Sequence, residues 1–247
     1  MTQILIVHGA WSAGWAWKKM RPLLRDLGHE VFTPTLTGLG ERAHLASPQV
    51  DLGTHIDDMR AVLEFEDLRD VLLLGHSYGG MVATGVADRA TGGGTSRIAQ
   101  LVYLDAFVPR DGQCLFDLVP AAARARNIEA ARSDGGGWRI PASPMPADTR
   151  ADDLAWATPL RRPMPLKCFE TPLRLQGAVD ALPRSYIYCN RSAPGDVFKP
   201  FAEHARASAG WQYFELDASH NPHITMPETL AELLHRIATA GHIRPAA

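Results

Sequence analysis

Residues 75–80 read Gly-His-Ser-Tyr-Gly-Gly, between the apolar run Val71–Leu74 and a helix-like pattern. A tight strand-to-helix turn strains the residue at its apex and admits little bulk two residues to either side. Gly75 and Gly79 therefore frame Ser77 as an exposed nucleophile. The backbone N–H of Tyr78 and the positive end of the following helix are aimed at the same space. A serine hydroxyl is a weak nucleophile near neutral pH, so it needs a base, and the base needs an orienting acid. His220, in Leu-Asp-Ala-Ser-His-Asn-Pro-His, follows the last strand directly and is the expected base; His223 is its competitor. Neither has a third ligand nearby in sequence, so no metal is expected, and no cofactor.

Two positions compete for the acid. Asp105 ends the strand Ile98–Asp105, beside the strand of Ser77 in the expected sheet order. Asp196 follows the next strand, but lies six residues beyond Asn190 and behind a Pro-Gly turn. Asp217 falls on the last strand itself. Asp105 is the expected acid and Asp196 the alternative. A second donor for transition-state charge is expected from the loop His8-Gly9-Ala10-Trp11, where Ala10 can present its N–H and His8 can brace the loop. Trp11, Phe107, Trp138 and Trp156 are candidates for an apolar pocket wall.

Those groups need a scaffold of alternating strands and helices. Apolar runs at 4–7, 30–36, 71–75, 98–105, 184–190 and 211–218 read as strands. Helical spacing runs through Trp17, Met20, Leu23, Leu24 and Leu27 to Gly28. A second helix starts from Thr54 as N-cap. A third follows Ser77 to about Arg89, and a last one starts at Pro227 with Leu230, Leu233, Leu234 and Ile237 on one face. Gly92–Gly94 is a surface loop. The pattern is that of an α/β protein: a mostly parallel sheet with helices on both faces. Residues 111–180 break it with prolines, the glycines 135–137 and scattered large side chains. They are expected to form an inserted cap on a core made of 1–110 and 181–247.

The 247 residues are 46% hydrophobic and 21% charged with net charge -2, which suits one large domain and gives no nucleic-acid footprint or polybasic membrane patch. Cys114, Cys168 and Cys189 are too few and too scattered for a disulfide framework. The start MTQILIVHGA lacks the flanks of a secretory signal, and no stretch approaches the roughly 18 apolar residues of a membrane span. A cytoplasmic protein with a small-molecule substrate is expected. Oligomeric state is not legible, and a homodimer stays open.

The segments at 8–17, 33–47, 75–80, 101–109 and 219–234 together resemble the α/β-hydrolase superfamily. They look most like the branch holding plant methylesterases, hydroxynitrile lyases and small bacterial esterases that hydrolyse carbamates and pyrethroids. Residues 111–180 match only loosely. The resemblance implies Ser77 as nucleophile, His220 as base, and Ala10 and Tyr78 as oxyanion donors. The lyases of this branch carry a threonine in place of Gly9 and a lysine in place of Asn221, so the resemblance favours an esterase. Some haloalkane dehalogenases of the superfamily carry their acid at a strand end similar to Tyr103–Pro109, which favours Asp105. A cofactor-free dioxygenase and a non-catalytic ligand receptor are the other readings of such a scaffold.

Overall fold

The computed structural model describes residues 1–90, 96–191 and 196–240. Gln3–Val7 forms β1, followed by a 3-10 turn Gly14–Trp17 and α1 (Met20–Asp26). Next come β2 (Glu30–Phe32), α2 (Leu52–Phe65), β3 (Val71–His76), α3 (Gly79–Ala90) and β4 (Ile98–Leu104). The insertion carries α4 (Ala121–Ser133), β5 (Arg139–Ile140), α5 (Ala151–Ala157), β6 (Met164–Pro165) and α6 (Lys167–Glu170). The chain then returns to β7 (Arg184–Cys189), α7 (Lys199–Ala207), β8 (Trp211–Leu216), α8 (Pro222–Thr225) and α9 (Pro227–Thr239).

Six parallel strands form the main sheet in the order β2-β1-β3-β4-β7-β8, and β5 and β6 make a separate antiparallel ribbon. Both faces of the sheet are covered, which is why its central strands are mostly apolar rather than alternating. On one face Ile4, Ile6, Leu72, Leu74, Val102 and Leu104 pack against Met20, Leu24, Leu230 and Leu234 of α1 and α9. On the other, Leu5, Val7, Leu73, Leu101 and Tyr103 join Ile56, Met59, Val82 and Val86 of α2 and α3.

The register sets where chemistry can occur. Val7 pairs with Gly75, Gly75 with Tyr103, and Tyr103 with Tyr186, so these four residues form one row across the sheet. Two residues beyond that row, at the carboxyl ends of β1, β3 and β4, stand Gly9, Ser77 and Asp105.

Two expectations shift. The strand expected over 30–36 ends at Phe32, because Pro34 brings no N–H and the residues after it are used elsewhere. Leu36 N–H donates to His8 Nε2 at 3.1 Å, and Thr37 N–H to Asp58 at 2.7 Å. The second helix starts at Leu52, not after Thr54. Asp51 is its N-cap and Thr54 its N3 residue, joined in a reciprocal capping box. The glycine loop Gly92–Gly94 lies outside the described residues.

The insertion reaches deep into the molecule. Phe116, Ile140, Met164, Cys168, Phe169 and Leu173 belong to the same buried cluster as Leu73 and Val82 of the core. Close contacts also explain the glycines around the β3–α3 turn. A Cβ on Gly79 would lie 2.3 Å from the Val7 carbonyl oxygen, and one on Gly75 2.6 Å from that of Gly79. Because both obstacles are backbone, neither can step aside. Gly79→Ala is expected to destabilise the fold by about 1–3 kcal/mol, read as a lower urea midpoint at unchanged m value.

Candidate active site

Ser77 occupies the apex of the β3–α3 turn with φ 55°, a left-handed conformation that costs energy for any residue with a Cβ. The turn is held on both sides. Ser77 N–H donates to Leu104 O at 3.3 Å, and the Ser77 carbonyl accepts from Gly80 N–H and Phe107 N–H at 3.0 and 3.3 Å. Trp11 and Asp105, at the ends of the flanking segments, share the left-handed conformation with φ 59° and 41°. Strain at three neighbouring loop starts around one cavity is the pattern of a functional site.

The cavity has a volume of about 820 Å3, and Ser77, His220, Asp105, Gly9 and Ala10 line it. Asp105 is buried, and its Oδ2 accepts from His220 Nδ1 at 2.6 Å while Oδ1 accepts from Cys189 N–H at 3.3 Å. Burial pushes its carboxyl above the usual carboxylate range, and the His220 hydrogen bond opposes that shift. An ionised Asp105 fixes the hydrogen of His220 on Nδ1, which leaves the Nε2 lone pair available. Phe198 stacks on the His220 ring at 4.8 Å and 10°. His76 Nε2–H donates to the His220 carbonyl at 2.8 Å, so ring and backbone of His220 are both held.

Asp196 also lines the cavity but faces other partners. Its Oδ2 accepts from Tyr188 O–H at 2.6 Å and its Oδ1 from Phe198 N–H at 2.8 Å. Asp217 is exposed just past the end of β8 and holds Arg191 through two bonds of 2.6 Å. The geometry thus brings Asp105, and neither of the others, to His220.

Ala10 lines the cavity, and Tyr78 follows Ser77 directly at the turn. Among the described residues neither N–H has an intramolecular acceptor. The Tyr78 side chain points away and is fully buried. Its hydroxyl bonds His55 Nδ1 at 2.9 Å, and His55 Nε2–H donates to Thr37 O at 2.9 Å. His8 braces the other loop: Nδ1–H donates to Gly9 O at 2.9 Å and Nε2 accepts from Leu36 N–H.

Of the four expected wall residues only Trp11 lines the cavity. Phe107 is buried against Phe198 and Phe201, because the chain after β4 turns it back beneath α7. Trp138 lies outside the wall, under the Arg139 guanidinium at 4.8 Å. Trp156 packs edge-on against Trp15 at 5.3 Å, and it is Trp15 that meets the cavity. Sequence reasoning missed Trp15, Arg161, Arg191 and Phe198. Trp15 precedes the helical spacing that begins at Trp17, and the others sit on irregular segments without periodicity.

The fold and this arrangement define a class. The sequence profile described as "Alpha/beta hydrolase family" matches residues 4–233, and the protein belongs to that family. Within it, the chain is 40% identical over 246 residues to a carbendazim hydrolyzing esterase of Nocardioides sp., covering 95% of this chain and 98% of that protein. It is 27% identical over 269 residues to a pyrethroid hydrolase of Sphingobium wenxiniae, covering 97% and 89%. Among solved structures, an extracellular alpha/beta-hydrolase from a Paenibacillus species superposes with TM-score 0.83 at 25% identity over 96% of this chain and 99% of that one.

Several imidazoles around the site are buried. Burial lowers His8 to about 4 and His223, stacked on Trp17 at 4.5 Å, to about 3. Unfolded, both titrate near the ordinary 6.5. The unfolded chain therefore binds more protons below that value. Their stabilisation is complete above it and is lost as pH falls toward 4 and then 3. His223→Phe, which keeps a ring on Trp17, is expected to flatten the fall in urea midpoint between about pH 7 and about pH 5. An unchanged slope would contradict the assignment.

Proposed function

We propose that the protein is a serine hydrolase that cleaves small carboxylic esters, and carbamates or activated amides of similar shape, through an acyl-enzyme on Ser77. The observation that carries this reading is the 2.6 Å His220–Asp105 pair opening on the same cavity as Ser77 at its strained turn. The similarity to an esterase along nearly the whole chain supports it.

In this mechanism His220 Nε2 takes the hydroxyl proton as Ser77 Oγ attacks the substrate carbonyl carbon. Asp105 supports the imidazolium that forms, and the N–H groups of Ala10 and Tyr78 receive the developing oxyanion. The tetrahedral intermediate collapses, and the leaving alkoxide takes the proton from His220. A water then gives its proton to His220, attacks the acyl carbon and frees the acid, and Ser77 regains its hydrogen. Residues 111–180 serve as a cap, since Ser143–Asp148 and Arg161 close one side of the cavity. A cytoplasmic setting suits the three buried free thiols.

Two features weigh against lyase chemistry. Asn221, not a cation, follows His220 at the cavity. A threonine in place of Gly9 would put its Cβ 2.9 Å from His76 Nδ1 and 3.1 Å from Ser77 Cβ.

Ser77→Ala is expected to abolish turnover of p-nitrophenyl butyrate and labelling by a fluorophosphonate while circular dichroism stays unchanged. Asp105→Asn is expected to lower kcat by about a thousandfold or more. Asp196→Asn, measured beside it, should fall far less. A reversed order would move the orienting acid to position 196.

A further inference from the structure

We propose that Arg161 anchors an anionic group of the substrate, so that the esters this protein prefers carry a carboxylate away from the scissile bond. The inference takes its reaction from the hydrolase reading above; the anion contact itself does not depend on it.

The charged groups around the cavity differ in what balances them. Asp105 is engaged by His220, and Asp196 by Tyr188 and the Phe198 N–H. Arg191 is matched by the two bonds from Asp217, with Asp148 adding to its electrostatic surroundings. Arg161 is different. Among the described residues no carboxylate lies within ion-pair distance of it. Burial alone displaces its guanidinium, downward from the usual value, with no neighbouring charge opposing the shift. A half-buried guanidinium without a counter-ion is costly, and such a group is retained where a ligand supplies the missing charge.

Its setting fits that task. The guanidinium lies over the Trp11 ring at 5.8 Å, and Nη1 donates to the Ser143 carbonyl. The Trp11 indole N–H is in turn tied to Ile140 O at 3.0 Å, and Arg162 N–H donates to Trp11 O at 3.3 Å. Arg161 is thus fixed at one end to the segment that carries Ala10. A guanidinium has five N–H donors in a plane, and a carboxylate is the acceptor whose geometry matches two of them at once. An ester whose carbonyl oxygen rests on the Ala10 N–H would extend its other end along Trp11 toward that fork.

Two measurements test this. The first is calorimetric titration of glutarate into Ser77→Ala, with and without Arg161→Gln. Binding is expected with Arg161 present, and to weaken by about tenfold or more without it. Arg161→Lys should retain part of the affinity, as it keeps the charge but not the fork. Equal binding with and without the Arg161→Gln substitution, or no binding in either case, would overturn the proposal. The second compares p-nitrophenyl hemiglutarate with p-nitrophenyl valerate, and 4-carboxyphenyl butyrate with phenyl butyrate. Arg161→Gln is expected to cut kcat/KM for the carboxylate member of at least one pair about tenfold more than for its neutral partner, mainly through KM and less at high salt. A neutral ester cleaved as well as its carboxylate partner in both pairs would remove the anchor and leave the hydrolase standing. Arg161-dependent glutarate binding with no ester turned over would do the reverse.

Discussion

A carboxylate as buried as Asp105 has to receive hydrogen bonds, and the architecture around the cavity follows from how it gets them. One comes from the Cys189 N–H at the end of β7, the other from His220 Nδ1 in the loop after β8. The first is supplied by the parallel register, since Asp105 N–H also donates to Ile187 O and keeps β4 and β7 in step past the last paired row. The second requires the loop from β8 to α8 to fold back across the sheet end. His76 and Phe198 hold it there by backbone and by ring. Removing the carboxylate would leave the imidazole free to choose its tautomer, and the remaining contacts would have lost their purpose.

The neighbouring imidazoles are instructive because most of them are kept out of proton chemistry. His8 and His55 each give one N–H to a carbonyl and accept at the other nitrogen, so each is a neutral strut between loops. His76 and His223 are buried beside Trp17 and held far below the ordinary imidazole range by that burial. Among the described histidines, only His220 combines a carboxylate partner with a place on the cavity wall. His76 and His223 lie beside it, yet their burial gives them a structural part without any difference in residue type.

Much of this was legible in the residues. The strands were visible because a sheet covered on both faces must be apolar at every position, and Val71–Leu74 and Ile98–Leu104 are close to that. Ser77 was visible because the glycines around it have a steric reason that composition alone rarely supplies. Asp105 could be preferred over Asp196 because a residue two past a paired row has its position set by the register, whereas Asp196 follows a loop of unspecified course. The wall was poorly legible. Phe107 and Trp156 are large and apolar, but whether such a ring faces ligand or core is decided by irregular chain paths that carry no period. Thr54 misled for a related reason. A capping box holds two residues able to cap, and only the backbone bonds tell which one stands outside the helix.

The way residues 111–180 are seated limits what can move beside the cavity. Phe116, Phe169, Cys168 and Leu173 are shared with the sheet's own apolar layer, so swinging residues 111–180 away as one body would expose several large side chains at about 1.5–3 kcal/mol each. The stretch Ser143–Asp148, mostly exposed and outside the ribbon and helices on either side, borders the cavity and is tied to the rest by the Arg161 bond to the Ser143 carbonyl and by Met145 against the core. Variation in those six positions would reshape that side of the wall while the folded body beneath stayed as it is.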